Sequence, residues 1–510
     1  MKKILGIELG STRIKSVLID ENAQVIAQGA HDWENKLENG YWTYSLEDVW
    51  AGLQSSFSDL CKNYGKPITS LDSIGISAMM HGYLAFDKDD NLLVPFRTWR
   101  NTTTAKAAAE LTASLGFNMP QRWSGSHFYQ AVLDKESHVK DVAFLTTLAG
   151  YVHWMLTGVK ALGIGDAAGM VPISGNDYDM DKIAIYNSLL KKNGIDKDLY
   201  KLLPKVFVAG EDCGALTEAG ARLLDPTGAL KAGAPLCPPE GDAGTGMVAT
   251  NAVKMRTGNV SAGTSAFAMV VLEKPLSKVN ESVDVVATPS GAPVAMVHAN
   301  NFTSEINAWA GLFHEVLALA GVEMNKGKLF DALYEISAGS DDNVGGLVGY
   351  NFLSGEPIVG MDSGIPLIAR RPDGKLNLAN FMQMQLYSAL GAMSVGMEIL
   401  AEENVQIEDI CGHGGFFKTP FIGANAMSAA LGAPITTMKN AGEGGAWGVA
   451  VLALYRISNN CTLEEFLDKI FAGAEKETVV ASDAEKAKFA RFMKAYKAGL
   501  AVEKLATEVL

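Results

Sequence analysis

Apolar and polar positions alternate with period two over the first thirty residues. Three short strands follow from that pattern: Lys3–Glu8, Lys15–Asp20 and Gln24–Gln28, joined by Gly10–Arg13 and a polar turn at Glu21-Asn22. The period then lengthens. Ser45–Tyr64 puts Trp50, Leu53, Phe57 and Leu60 on one helical face, with Ser45 as N-cap and Asp48 three residues on. Ser73–Ser77 is a short buried-type strand ending at Met79-Met80-His81-Gly82. A hairpin follows, turning at Asp87–Asn91 and returning along Val94–Trp99. Thr102 to Leu156 is mostly helical in pattern, and the loop Gly158–Ser174 carries Gly165-Asp166-Ala167-Ala168-Gly169. The prolines of Pro235–Asp242 stop regular structure, and Gly241-Asp242 opens a helix to about Met255. Beyond it the pattern predicts a strand at Val294–His298 and helices at Ser304–Ala320 and Met382–Leu400, whose Met382, Met384, Met393 and Met397 read as core. Two glycine-rich motifs, Ile410–Leu431 and Gly442–Leu454, precede a charged tail, Thr462–Leu510, that reads as amphipathic surface helices.

One element of this pattern occurs twice. Ile4–Ile19 runs into Gly10-Ser11-Thr12 and out through Ile14, Val17 and Leu18. Gly258–Leu272 runs into Gly263-Thr264-Ser265 and out through Phe267, Met269 and Val270. Each reads as strand, Gly-Ser/Thr turn, strand, and the copies lie half a chain apart. Such a turn exposes consecutive amides and a hydroxyl, the donors that an oligophosphate needs. Its glycine lets phosphate oxygens approach the backbone. The pair predicts two lobes holding a nucleotide's phosphates between them.

Length and charge narrow this picture. The 510 residues exceed one ordinary core and imply two domains, 1–245 and 246–510, with a helical tail from about 456. No apolar run approaches the ~18 residues of a membrane span, and Glu8 and Arg13 interrupt the N-terminal apolar stretch, so neither a membrane association nor a signal peptide is expected. A net charge of −14 disfavours nucleic acid as a partner. The five cysteines are odd in number and widely spaced, which predicts reduced thiols in a cytoplasmic protein. Gly241–Gly246 and Gly412–Gly415 both miss the dinucleotide fingerprint, and Glu443 interrupts the third glycine cluster, so a Rossmann dehydrogenase is a poor fit.

The order of nine motifs, IELGSTRIK (7–15), SAMMHG (77–82), RTWRN (97–101), TGVKALGIGDAAGM (157–170), GDAGTG (241–246), SAGTS (261–265), FLSGE (352–356), CGHGG (411–415) and GEGGAWGVA (442–450), resembles the FGGY carbohydrate kinases, the xylulokinase branch most closely. The resemblance covers about residues 1–455. It implies an α/β fold of two actin-like (ribonuclease H-like) domains with a cleft between them, each built on a mixed five-stranded sheet. The first domain would bind the sugar and the second the nucleotide.

The activity so implied is ATP- and Mg²⁺-dependent phosphorylation of a ketose hydroxyl, a ketopentose such as D-xylulose first, by a homodimer. Asp242 matches the general base, which accepts the proton of the attacking hydroxyl while positioning and charge neutralisation do the rest. Gly10, Ser11 and Thr12 match the first phosphate loop, with Lys15 near it. Gly263, Thr264 and Ser265 match the second loop, and Gly412, Gly414 and Gly415 the adenosine motif. Met80, His81 and Gly82 match the sugar-contacting turn, joined by Trp99, Asn101 and Asp242. Glu8 stands where the family's Mg²⁺-holding aspartate is expected and, with Asp242, forms the metal set.

Asn101, Thr103 and Ala243 replace an aspartate, an arginine and an asparagine of the family pattern, and a lysine-x-x-tryptophan segment is missing near 130–135. These departures fall in the sugar half and leave L-xylulose, L-ribulose, glycerol or a deoxyketose open. Glu8 motivates a second alternative, a non-catalytic sugar or nucleotide sensor on the same fold.

Overall fold

The computed structural model describes residues 1–438, 444–458 and 460–510; Gly442 and Glu443 of the closing glycine motif lie outside the described residues. The chain forms two compact units. One comprises 1–253, 278–294 and 444–473; the other comprises 254–277, 295–438 and 474–510. The sequence reading places one boundary at 245/246. In the structure the chain crosses between units several times.

The first unit is organised by the hairpin Ile4–Leu9 and Arg13–Ile19. Its sheet runs Glu240–Gly241, Ser73–Ala78, Ile4–Leu9, Arg13–Ile19, Val25–Asp32. The first three strands are parallel and the last two antiparallel to their neighbours. The helix Leu46–Tyr64 starts where its cap predicts: Ser45 Oγ accepts from Asp48 N at 3.0 Å. Its buried Val49, Leu53, Phe57 and Leu60 cover one sheet face.

The helix Gly444–Ser458 covers the other face and returns 444–473 to this unit. It can approach because Gly6 and Gly75 carry no side chain. A Cβ on Gly6 would lie 2.1 Å from Ala446 O, and one on Gly75 2.4 Å from Val449 O.

The second unit repeats this plan. Around the hairpin Thr257–Ala262 and Ala266–Val271 the strands run Ile435–Met438, Asp409–His413, Thr257–Ala262, Ala266–Val271, Pro293–Ala299. The inner strand of the hairpin again pairs in parallel with the strand beside it. The long helix Leu378–Glu402 buries Met382, Met384, Met393 and Met397, as its apolar spacing predicts.

The tail forms the expected amphipathic helices, Leu463–Ile470 and Asp483–Val509, with one addition. Lys476–Val479 adds an edge strand to the sheet, antiparallel to Ile435–Met438, and Asp483–Val509 buries Phe489, Phe492, Met493 and Tyr496. The strand escapes a hydrophobic pattern because three of its four residues face solvent, as suits a charged edge. The turn read at Asp87–Asn91 forms, with Asp87 N donating to Asn91 O and Phe86 bridging antiparallel to Leu92. Its return segment Val94–Trp99 adds only the isolated bridge Tyr83 to Arg97, and Leu84–Phe86 pairs with Phe144–Thr146 instead.

Candidate active site

The first turn is held from behind by aromatic donors. Trp33 Nε1 donates to Gly10 O at 2.7 Å, Tyr44 OH to Ser11 O at 2.5 Å, and Trp33 N to Thr12 O at 3.1 Å. The Trp33 and Tyr44 rings stack at 4.1 Å. With three successive carbonyls fixed on one side, the Ser11 and Thr12 amides are left without an acceptor among the described residues. This is the polarity an anion needs. Trp99, partly exposed, donates its indole N–H to Ser11 Oγ at 3.2 Å, joining a predicted sugar residue to the predicted phosphate turn. Hairpin register places Lys15 opposite Glu8, with Nζ 3.6 Å from the Glu8 carboxylate.

Asp242 begins the helix Asp242–Ala249, directly after the short strand Glu240–Gly241 paired with Ser77-Ala78. Met80 N and its own Ala243 N donate to Oδ1 at 3.2 and 3.0 Å. Oδ2 accepts from neither of these amides. Solvent reaches the residue, yet protein surrounds the carboxyl closely enough to desolvate it. That desolvation, and then the charge of Glu8, pushes the Asp242 pKa up to about 6.

The Met80–Gly82 turn is fixed by strained backbone and by packing. His81 is left-handed at φ 67°, an uncommon conformation for a residue with a side chain. Its ring stacks on Trp123 at 5.9 Å. Nδ1 lies 3.0 Å from Gly169 O, and because a carbonyl only accepts, Nδ1 carries the proton and Nε2 keeps a lone pair. Burial, then Arg122, lowers the His81 pKa to about 3, so the ring is neutral at ordinary pH.

Asn101 does not join this group as an available amide. Its Oδ1 accepts from Trp42 N, and its Nδ2 donates to Trp42 O and Thr98 O, all within 2.9 Å. It is buried and committed to the backbone, so the structure gives it a scaffolding part in place of the expected sugar contact.

Two acids beside Asp242 went unread in the sequence. Glu240 is fully buried and accepts from Gly165 N and Asp166 N at 3.4 and 3.1 Å. Burial raises its pKa well above the carboxylate range. Asp166, also fully buried, accepts from Thr147 Oγ1 at 2.5 Å, and burial pushes its carboxyl up to about 7. Their signals are the GIGDAAG loop around Asp166 and the proline-rich run Pro235–Asp242 that carries Glu240. Gly163 and Gly165 make room for the Glu240 carboxylate, since Cβ atoms there would come within 2.2 and 2.5 Å of it.

In the second unit, Phe302 N donates to Thr264 O at 2.9 Å, and Thr303 Oγ1 to Gly263 O at 2.6 Å. Turn carbonyls are again held from behind. Gly414, at φ 111°, lies against this hairpin, where a Cβ would sit 2.3 Å from Ala262 O. Gly412 accommodates the Phe417 ring, whereas Gly415 has open space around it.

Residues 3–229 match the N-terminal domain, and residues 258–457 the C-terminal domain, of the FGGY family of carbohydrate kinases. The chain belongs to that family. Among FGGY relatives, the Bacillus subtilis xylulose kinase is 25% identical over 231 residues, 42% of this chain and 43% of that protein, so the match spans less than half of its length. The ligand-bound xylulose kinase structure from Lactobacillus acidophilus superposes with a TM-score of 0.80 at 18% identity, covering 98% of each chain. The gluconate kinase structure from the same organism gives 0.81, also at 18% identity and 98% of each chain. These likenesses establish the two-domain, actin-like FGGY sugar-kinase fold.

Proposed function

We propose that this FGGY protein transfers the γ-phosphate of ATP to a hydroxyl of a neutral ketose, with D-xylulose the first ketopentose to test. The observation that carries the reading is Asp242. Two amides anchor its Oδ1 and neither of them reaches Oδ2. A carboxylate with a pKa of about 6 is mostly ionised at neutral pH and still basic enough to take a hydroxyl proton. The neutral His81 imidazole offers Nε2 as an acceptor for a second sugar hydroxyl, fixed by its bond to Gly169. The outward amides of Ser11-Thr12 and the Gly263–Ser265 turn would cradle phosphates.

A Mg²⁺ ion takes one or two carboxylates, with waters and phosphate oxygens completing its shell. Glu8 and Asp242 are close enough for the charge of one to raise the pKa of the other, which suits a divalent cation held by that pair. When bound, the ion neutralises phosphate charge.

Charge favours a neutral sugar over gluconate. Arg122 is paired with Asp284, Arg97 with Glu136, and Arg100 lies over the Trp42 ring. Arg122 and Arg97 are thus engaged by acids of the protein itself, whereas the ring contact leaves the N–H edge of the exposed Arg100 open. A coupled ADP-release assay over D-xylulose, L-xylulose, L-ribulose, glycerol and gluconate tests the reading. A ketose should raise turnover well above the water background. Silence across the panel despite ADP binding would favour the sensor; a response to gluconate alone would overturn the neutral-ketose reading.

A further inference from the structure

The segment Asn351–Glu356, which contains the FLSGE motif, has no part in the chemistry described so far. Glu356 is fully buried. Its Oε1 accepts from Asn300 N at 3.1 Å, and its Oε2 accepts from Asn301 N and Asn301 Nδ2 at 3.0 and 3.1 Å. Asn351 grips the same stretch from the other side, its Nδ2 donating to Asn301 O and Phe302 O, both at 3.0 Å. Asn301 Oδ1 returns the contact by accepting from Leu353 N and Ser354 N. What is gripped is Asn300–Thr303, the stretch whose Phe302 N and Thr303 Oγ1 hold the carbonyls of Thr264 and Gly263.

A buried carboxylate is costly unless its hydrogen bonds are complete. Here three donors from one short stretch converge on it. Glutamine in its place would offer a single acceptor oxygen and turn an NH₂ group toward a donor. The cost is accepted where a backbone stretch must be held in one arrangement, and this stretch is hydrogen-bonded directly to the turn.

We propose that Glu356 is a positioning residue for the Gly263–Ser265 turn, acting through Asn300–Thr303 to keep the turn amides aimed at a nucleotide phosphate. The proposal rests on reading that turn as phosphate-binding. Full-length E356Q should speed hydrogen exchange at the Phe302 and Thr303 amides at least tenfold, while the strand Thr257–Ala262 stays protected. Its dissociation constant for ADP should rise about tenfold, the loss expected for bonds to a charged group. The KM for ATP should follow, with kcat and the sugar KM within about twofold of the parent. If E356Q fails to fold, N351S removes the opposite grip and should act in the same direction.

Unchanged exchange at Phe302 and Thr303 overturns the proposal. So does a loss shared equally by the sugar KM, kcat and thermal stability, which marks a merely structural part. Faster exchange in a protein whose parent form does not bind ADP keeps the grip and removes the phosphate reading instead.

Discussion

The turn after Leu9 and the turn after Ala262 occupy the same place in two sheets of the same order, yet they are built from different parts. Trp33 and Tyr44 hold the first by aromatic side-chain donors. The second is held by the main chain and one hydroxyl of Phe302-Thr303. Register differs too. Leu9 pairs with Ile14 across a four-residue loop, whereas Ala262 pairs with Ala266 across three residues. Among the described residues, Glu8 stands on the strand of the first hairpin with Asp242 close enough to feel its charge, whereas Glu356 behind the second turn is engaged by Asn300 and Asn301. Ser261 stands two residues before Gly263, where Glu8 stands two before Gly10. On the proposed reading one device would serve two tasks: the second hairpin would offer donors alone, and the first would combine donors with a base and a metal-holding acid.

The largest test of that division is Asp242→Asn. Sugar phosphorylation should fall ~10²–10⁴-fold, the usual worth of a general base, while calorimetry finds ADP binding intact. Phosphorylation at the parent rate would remove the base from the first hairpin and make the two turns alike.

Gly414→Ala strikes the second hairpin. The new Cβ meets Ala262 O at 2.3 Å on a left-handed backbone, so the fold should lose about 2–4 kcal/mol. Thermal melting reads the loss, and an unchanged midpoint would mean that Gly414 does not fix this turn.

Tyr44→Phe and Thr303→Val remove one turn-holding donor from each copy. Each should cost about 1 kcal/mol, or roughly fivefold in the KM for ATP. Because Ser11 also receives the Trp99 indole, Tyr44→Phe alone should disturb the sugar KM. Equal effects on the sugar KM would show that the turns are interchangeable.

The smallest effect is a pH shift. A base must be unprotonated to act, so kcat/KM should climb with pH and level off above about 6, the raised pKa of Asp242. Glu8→Gln removes a charge that raises that pKa, so the acid limb should move downward by less than about one pH unit. An upward movement would contradict the coupling.

Much of this was legible from spacing. The two hairpins announce themselves because period-two runs flank a Gly-Ser/Thr turn, and Asp242 and His81 follow from motifs in order along the chain. Other parts depend on contacts that spacing does not encode. Asn101 reads as a polar side chain beside Trp99, and only the fold commits its amide to Trp42 and Thr98. Glu240 and Asp166 are single acids in unrelated segments until burial brings Gly165 N and Asp166 N onto the Glu240 carboxylate. Lys476–Val479 carries too little hydrophobic pattern to be seen before an edge is there to receive it.

By itself the sequence determined the paired strand-turn-strand devices, because local periodicity and turn chemistry act over a few residues. The order of its motifs carried the resemblance that implies the two-domain α/β plan and singles out Asp242. The tertiary structure alone decided which way the turn amides face, that Glu8 is opposite Lys15 and coupled to Asp242, and that Glu356 grips the stretch behind the second turn. Those outcomes rest on hydrogen bonds and charges between residues distant in sequence, whose strength is set by burial.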